Sequence, residues 1–244
     1  MSTANILVRT AATRRALITL VAVSAVAVVA SLALGSRAIP LGELVGAAKG
    51  QGSIDVRTIF WQLRVPRTLL AYAVGACLAV AGVLAQAWTR NPLADPGFIG
   101  VTAGAAFAVA LGSAMGTVVG LAGATVHAFV GAAAASALVL VVSRRSASPL
   151  TLILVGMGVG ASLSAGSVLI GLFDTEVLDS MRHWVVGSTI GRGYADAAVA
   201  WAGLAVGMLV AVLAARPLDL LAMGEETSLA PVSYTHLTLP TNRE

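Results

Sequence analysis

Three serines, Ser162, Ser164 and Ser167, stand close together in one apolar stretch of this chain, with His127 before it and His183 after it. Serine with histidine is the pairing of nucleophilic catalysis, in which an imidazole within hydrogen-bond reach takes the hydroxyl proton. None of these serines stands in a Gly-x-Ser-x-Gly elbow, and serines in a Gly/Ala-rich helix ordinarily bond the backbone of their own helix. Intramembrane proteolysis is therefore the weakest function class considered. Metal chemistry fares no better, because three separated histidines and the single Cys77 offer no ligand cluster of recognisable spacing, and no cofactor site is read. His127 is read as a helix-end or packing residue and Cys77 as a small packing residue.

Nucleotide hydrolysis would require a glycine-rich loop ending in Gly-Lys-Ser/Thr to hold phosphates. The only lysine, Lys49, lies in Ala-Lys-Gly-Gln, so any ATP that drives this protein is hydrolysed by another chain. Proton-coupled carriers place carboxylates or histidines inside their spans. No Asp or Glu lies inside any apolar run here. With catalytic groups missing, attention passes to the elements themselves.

The chain is 58% hydrophobic and 11% charged, with a mean hydropathy of +0.91. Soluble domains carry about 25% charge. Apolar runs at about 16–34, 68–87, 98–117, 125–142, 150–172 and 197–214 predict six spans, each near the length that crosses a bilayer core of about 30 Å. With 26 glycines and 5% aromatics, the composition favours helices packed through small residues over a barrel. The fold class is all-α, a polytopic transmembrane helical bundle. Its first apolar run exceeds a signal-peptide core and reads as a retained helix. The net charge of +4 is scattered at span ends, as membrane topology requires, and nucleic acid is not a partner. Arg9, Arg14 and Arg15 before the first span put the N-terminus inside, although basic residues counted on the two sides balance.

Between the spans, residues 35–67 read as an outside segment with a short surface helix over 41–49, and residues 173–196 as an outside connection with amphipathic pieces. The link at 88–97 holds Asn91, Pro92, Asp95 and Pro96, a shaped turn in which Asn91 and Asp95 can cap the following helix. Gly116, Gly120 and Gly123 predict a tight turn that divides 98–142 into two short helices. Glycines four apart (100/104, 112/116, 156/160) would let helix backbones approach in lipid.

The run LRVPRTLLAYAVGACLAVAGVLAQAWTRNPLADPGFIGVTAGAAFAVALG, residues 63–112, is flanked by charged fences at both ends of its first span. It resembles the signature region of FecCD-type permeases, the membrane subunits of ABC importers for iron–siderophores, haem and cobalamin. The Arg-x-Pro-Arg entry, the small-residue helix and the Asn-Pro-Leu-Ala-Asp-Pro-Gly exit occur in order. Weaker resemblance continues through HWVVGSTIGRGY at 183–194 and RPLDLLAMGEET at 216–227, so it covers about Arg57 to Thr227.

The resemblance implies a permease subunit that forms the translocation pathway for a metal chelate, an iron–siderophore before haem or cobalamin. Its implied partners are cytoplasmic ATPase subunits, an exported substrate-binding protein and a second permease subunit, identical or not. The implied location is a bacterial inner membrane with the N-terminus cytoplasmic. Arg64 and Arg67 match positions that meet acids of the binding protein. Leu218, Leu221, Gly224, Glu225 and Glu226 match the ATPase-contacting loop, where a short helix ends at glycine. About ten spans are typical of such subunits, so this chain is expected to be truncated after residue 227. Residues 228–244 have no apolar span and no helical periodicity, and resemble translated vector or adapter sequence; they are read as a non-native tail. A secondary active transporter and a non-transport membrane scaffold are the alternatives.

Overall fold

A computed structural model of the chain describes residues 3–144 and 149–222. The described residues are helical apart from their links, with no strand among them. The helices are α1 (Thr3–Ala33), α2 (Leu41–Ala48), α3 (Ile54–Thr58), α4 (Val65–Thr89), α5 (Val101–Ala114), α6 (Gly120–Ser143), α7 (Pro149–Phe173), α8 (Thr175–Val186) and α9 (Tyr194–Ala222). A π-helical segment, Ile59–Arg64, joins α3 to α4, and a 3-10 turn, Pro96–Ile99, precedes α5.

Five helical segments among the described residues are long and apolar enough to cross a membrane: Thr13–Ala33, Ile54–Thr89, Gly120–Ser143, Thr151–Phe173 and Tyr194–Asp219. The expected third span is the exception. Helix α5 has 14 residues and rises only about 21 Å, because the turn at Gly116 ends it early. Large apolar side chains on these helices stand exposed, Val26, Leu78 and Phe129 among them.

The chain divides into two compact units, Met1–Gly75 with Thr189–Ala202 and Ala76–Ser188 with Gly203–Glu244. In the first, a small core of Ile39, Leu44, Ala47, Val56 and Phe60 closes against Leu32, Ile59 and Val65. The surface helix expected over 41–49 is present as α2. Its last carbonyls lack partners within the helix. Trp61 Nε1 donates to the Ala47 carbonyl at 3.0 Å, and Arg57 donates to the Gly50 carbonyl just beyond the helix end, also at 3.0 Å.

Helix begins at Ile54, within the segment read as outside, and runs unbroken for 36 residues to Thr89, a rise of about 54 Å that exceeds a bilayer core of about 30 Å. A proline at 66 would ordinarily end or kink a helix, since its ring collides with the carbonyl four residues back, that of Gln62, and disfavours helix at Val65. The π-helical turn removes the conflict by widening the helix directly before the proline. In that register the Val65 N–H bonds the Phe60 carbonyl, so the Trp61 carbonyl falls to Pro66, which has no N–H. Tyr194 supplies the missing donor, its hydroxyl reaching the Trp61 carbonyl at 2.6 Å.

In the second unit, α5 packs on α6 and α7, with α8 laid against α5 and α7. A Cβ on Gly104 would strike the Gly131 carbonyl and the Ala135 side chain, and one on Gly131 would strike Gly104 and Ala108. The closest approach of α5 and α6 therefore depends on glycine in both helices. Of the glycine pairs read from the sequence, Gly104 and Gly112 are in tight contact, whereas Gly116 forms the α5–α6 turn with φ of 66°. The amphipathic piece expected after 173 is α8. Asp174 starts it by accepting from the Glu176 and Val177 N–H groups at 2.9 and 3.2 Å, and Val177 and Met181 bury against Ala110 and Ile170.

Candidate functional site

Ser162, Ser167 and His127 are absorbed by local structure. Ser162 and Ser167 donate to the carbonyls of Gly158 and Leu163, one turn back in α7, each at 2.9 Å. His127 holds the Gly123 carbonyl with Nδ1 at 2.8 Å, while Nε2 lies 3.1 Å from the Thr117 hydroxyl. It ties the first turn of α6 to the preceding loop. The His183 side chain lies outside the described residues. No group of three or more His, Cys, Asp or Glu that could hold a metal occurs among the described residues.

What the structure does assemble is arginine. In the first unit a cavity of about 720 Å³ is lined by Arg37 from the α1–α2 link, Arg64 and Arg67 from the long helix, and Thr189 and Arg192 from the α8–α9 link. The two arginines of the Arg-Val-Pro-Arg fence thus share one wall but are differently used. Arg64 is 8% exposed, and its guanidinium donates to the carbonyls of Leu32 and Arg37. Arg67 is exposed, and its Nε donates to the Thr189 hydroxyl at 3.0 Å. Arg192 lies 3.5 Å from Asp196, whose other oxygen accepts the Gly193 N–H at 2.7 Å and so caps the start of α9. Arg37 and Arg192 stand in no motif of the sequence. Their convergence depends on two links folding toward the long helix, which no local pattern signals.

The turn residues behave as local structure. Asn91 Oδ1 accepts the Leu93 N–H at 2.9 Å, closing a turn around Pro92, and Gln86 donates to the Pro92 carbonyl at 2.9 Å. Asp95 Oδ1 accepts the Gly97 N–H at 2.7 Å. It caps the 3-10 turn begun by Pro96 rather than α5, which starts only after Gly100 with φ of 76°. The sixth span continues as helix beyond its apolar run: α9 runs through Pro217 to Ala222. The proline deletes one bond, to the Leu213 carbonyl, without ending the helix. Leu218 is half-buried in α9 and Leu221 belongs to its last turn. Gly224, Glu225 and Glu226, together with residues 228–244, lie outside the described residues.

The model of the FecCD transport family matches residues 21–230. The chain belongs to the FecCD transport family. Over 208 residues this FecCD chain is 34% identical to the ferric enterobactin transport system permease protein FepD of Escherichia coli (strain K12), covering 84% of the chain and 62% of that relative. It is 35% identical over 236 residues to the vitamin B12 import system permease protein BtuC of Klebsiella pneumoniae, covering 93% of the chain and 65% of BtuC. A solved metal-chelate type ABC transporter in an inward-facing conformation superposes with a TM-score of 0.72 at 28% identity, over 87% of the chain and 66% of that structure. The FecCD chain thus spans somewhat less than two thirds of the length of FepD.

Proposed function

We propose that this FecCD chain is a permease subunit of an ATP-binding-cassette importer and lines the pathway for a metal chelate, an iron–siderophore in the first instance. The observation that carries the reading is the family match over residues 21–230, joined to relatives named as permease proteins for ferric enterobactin, vitamin B12 and hemin. The missing phosphate loop supports it, since hydrolysis then belongs to cytoplasmic ATPase partners. An exported binding protein delivers the ligand, and a second permease subunit completes the pathway. The chain sits in a bacterial inner membrane with its N-terminus in the cytoplasm.

On this reading Arg67 meets a carboxylate of the binding protein. Arg64 shapes the same face by holding the residues after α1, its guanidinium being committed to backbone carbonyls. Leu218, Leu221, Gly224, Glu225 and Glu226 form the ATPase contact, while Asn91, Pro92, Asp95 and Pro96 fix the turn into α5. Charge complementarity at such a docking face sets register and encounter rate. Arg67→Glu should abolish retention of the binding protein on the immobilised complex while the ATPase still co-purifies. Undiminished retention would remove Arg67 from the interface, and failure of any ATPase to co-purify with the unsubstituted chain would count against the importer.

A further inference from the structure

Arg67 carries the docking proposal, yet an exposed guanidinium on a long flexible stem has no fixed direction of its own. One contact supplies a direction. Its Nε donates to the Thr189 hydroxyl at 3.0 Å, and its two Nη groups meet no acceptor among the described residues. A guanidinium offers carboxylates two kinds of fork, one made by Nε with the adjacent Nη and one made by the paired Nη groups. With Nε taken by Thr189, the paired Nη fork is the one left open. It faces along the axis of the side chain, so the direction in which a carboxylate can approach Arg67 is set before any partner arrives.

Thr189 can hold Arg67 only if its own place is fixed. Five residues on, the Tyr194 hydroxyl donates to the Trp61 carbonyl at 2.6 Å, which ties the α8–α9 link to the same long helix that carries Arg67. Between the two anchors Gly191 turns the chain with φ of 72°, and Asp196 accepts the Gly193 N–H at 2.7 Å. Thr189 is half-buried, and its own hydroxyl proton meets no acceptor among the described residues, so the bond it accepts from Arg67 is not a by-product of another contact. We propose that Thr189 is a positioning residue for docking, acting through Arg67 by holding the paired Nη fork toward an incoming carboxylate. This role rests on the docking reading of Arg67 given above. Its effect is on affinity, because a long side chain ordered at the moment of binding weakens the complex, whereas one ordered beforehand does not.

The test immobilises the assembled complex in nanodiscs, flows over it the purified binding protein of the same importer, and reads association and dissociation separately. Thr189→Val keeps the shape of the side chain and removes the acceptor. It should weaken retention about three- to tenfold, chiefly through faster dissociation. The salt dependence of association should stay as it was, because Arg67 keeps its charge. Thr189→Ser, which keeps the hydroxyl, should restore retention. Arg67→Lys retains the charge but has no N–H along its stem for Thr189 to hold, so adding Thr189→Val in that background should cost nothing further. Full retention by Thr189→Val alone would overturn the proposal. So would a loss of equal size in the lysine background, which would mean that the link shapes the face without acting through Arg67. Thr189→Ala, taken through the same cycle, serves if valine disturbs assembly. Undiminished retention by Arg67→Glu is a different failure, that of the docking reading itself.

Discussion

Arg64 donates from its guanidinium to the carbonyl of Leu32, joining the end of α1 to the π-helical segment that leads into α4. Helix α1 ends at Ala33 with carbonyls that its own turns cannot satisfy. Leu34 and Ile39 N–H groups take those of Ala30 and Ala33, and Arg64 takes that of Leu32. The same guanidinium holds the Arg37 carbonyl. Its first role is therefore to fix the chain after α1.

Replacing Arg64 should cost stability whatever it does to docking. Arg64→Gln strands two carbonyls beside a buried side chain, and hydrogen bonds to a charged group contribute about 1.5–3 kcal/mol each at most. Arg64→Lys should recover only part of the loss, because an ammonium cannot span both carbonyls as a planar fork does. Unfolding in mixed detergent micelles would measure both. Arg67→Glu, at an exposed position, should leave the unfolding midpoint nearly unchanged.

Tyr194 and Pro66 are coupled through the Trp61 carbonyl. Tyr194→Phe removes the hydroxyl that replaces the proline's missing N–H and should destabilise by about 1 kcal/mol. In a Pro66→Ala background the backbone can supply its own donor, so the cost of Tyr194→Phe should shrink. A double-mutant cycle reads the difference directly, and additive effects would show that the tyrosine does not compensate for the proline.

The α5–α6 crossing should tolerate no side chain at its closest point. Gly131→Val places new atoms against the Gly104 backbone, and overpacking of that kind costs about 1–3 kcal/mol or more. Gly158→Ala, at a helical glycine with nothing within 4 Å of the added carbon, should be neutral or slightly stabilising. Thermal unfolding of the two variants side by side would check the contrast. Equal midpoints would show that the two helices separate freely at Gly104.

The serines should prove chemically idle. Ser162→Ala and Ser167→Ala each remove a bond to the same helix's backbone, and together they should leave transport by the assembled complex within about twofold. Loss of a proteolytic activity on making these changes would revive the hydrolase reading.

The fold class was legible because hydropathy and span length are local quantities. So were α2, the turn at Gly116 and the amphipathic α8, each read from the length or composition of its own segment. Two features were not legible for the same reason: Pro66 and Pro217 both lie inside helix, although a proline ordinarily argues for a boundary. At Pro66 the resolution is a π-helical turn and a hydroxyl from Tyr194, far along the chain, and no reading of neighbours could supply it. The fence arginines were recognised by motif, yet their division of labour emerges only from the carbonyls of Leu32 and Arg37 that reach one of them. Gly131 escaped because it has no glycine partner four residues away in the sequence; its partner, Gly104, is in another helix.

The central claim is ATP-driven import of a metal chelate, and uptake measures it most directly. The chain would be reconstituted in proteoliposomes with its ATPase and binding-protein partners, and accumulation of a radiolabelled ferric siderophore followed with ATP present and the proton gradient collapsed. Accumulation that persists without the gradient and stops without hydrolysable ATP is the predicted result. Accumulation that follows the proton gradient and ignores ATP would contradict the account and make the chain a secondary carrier.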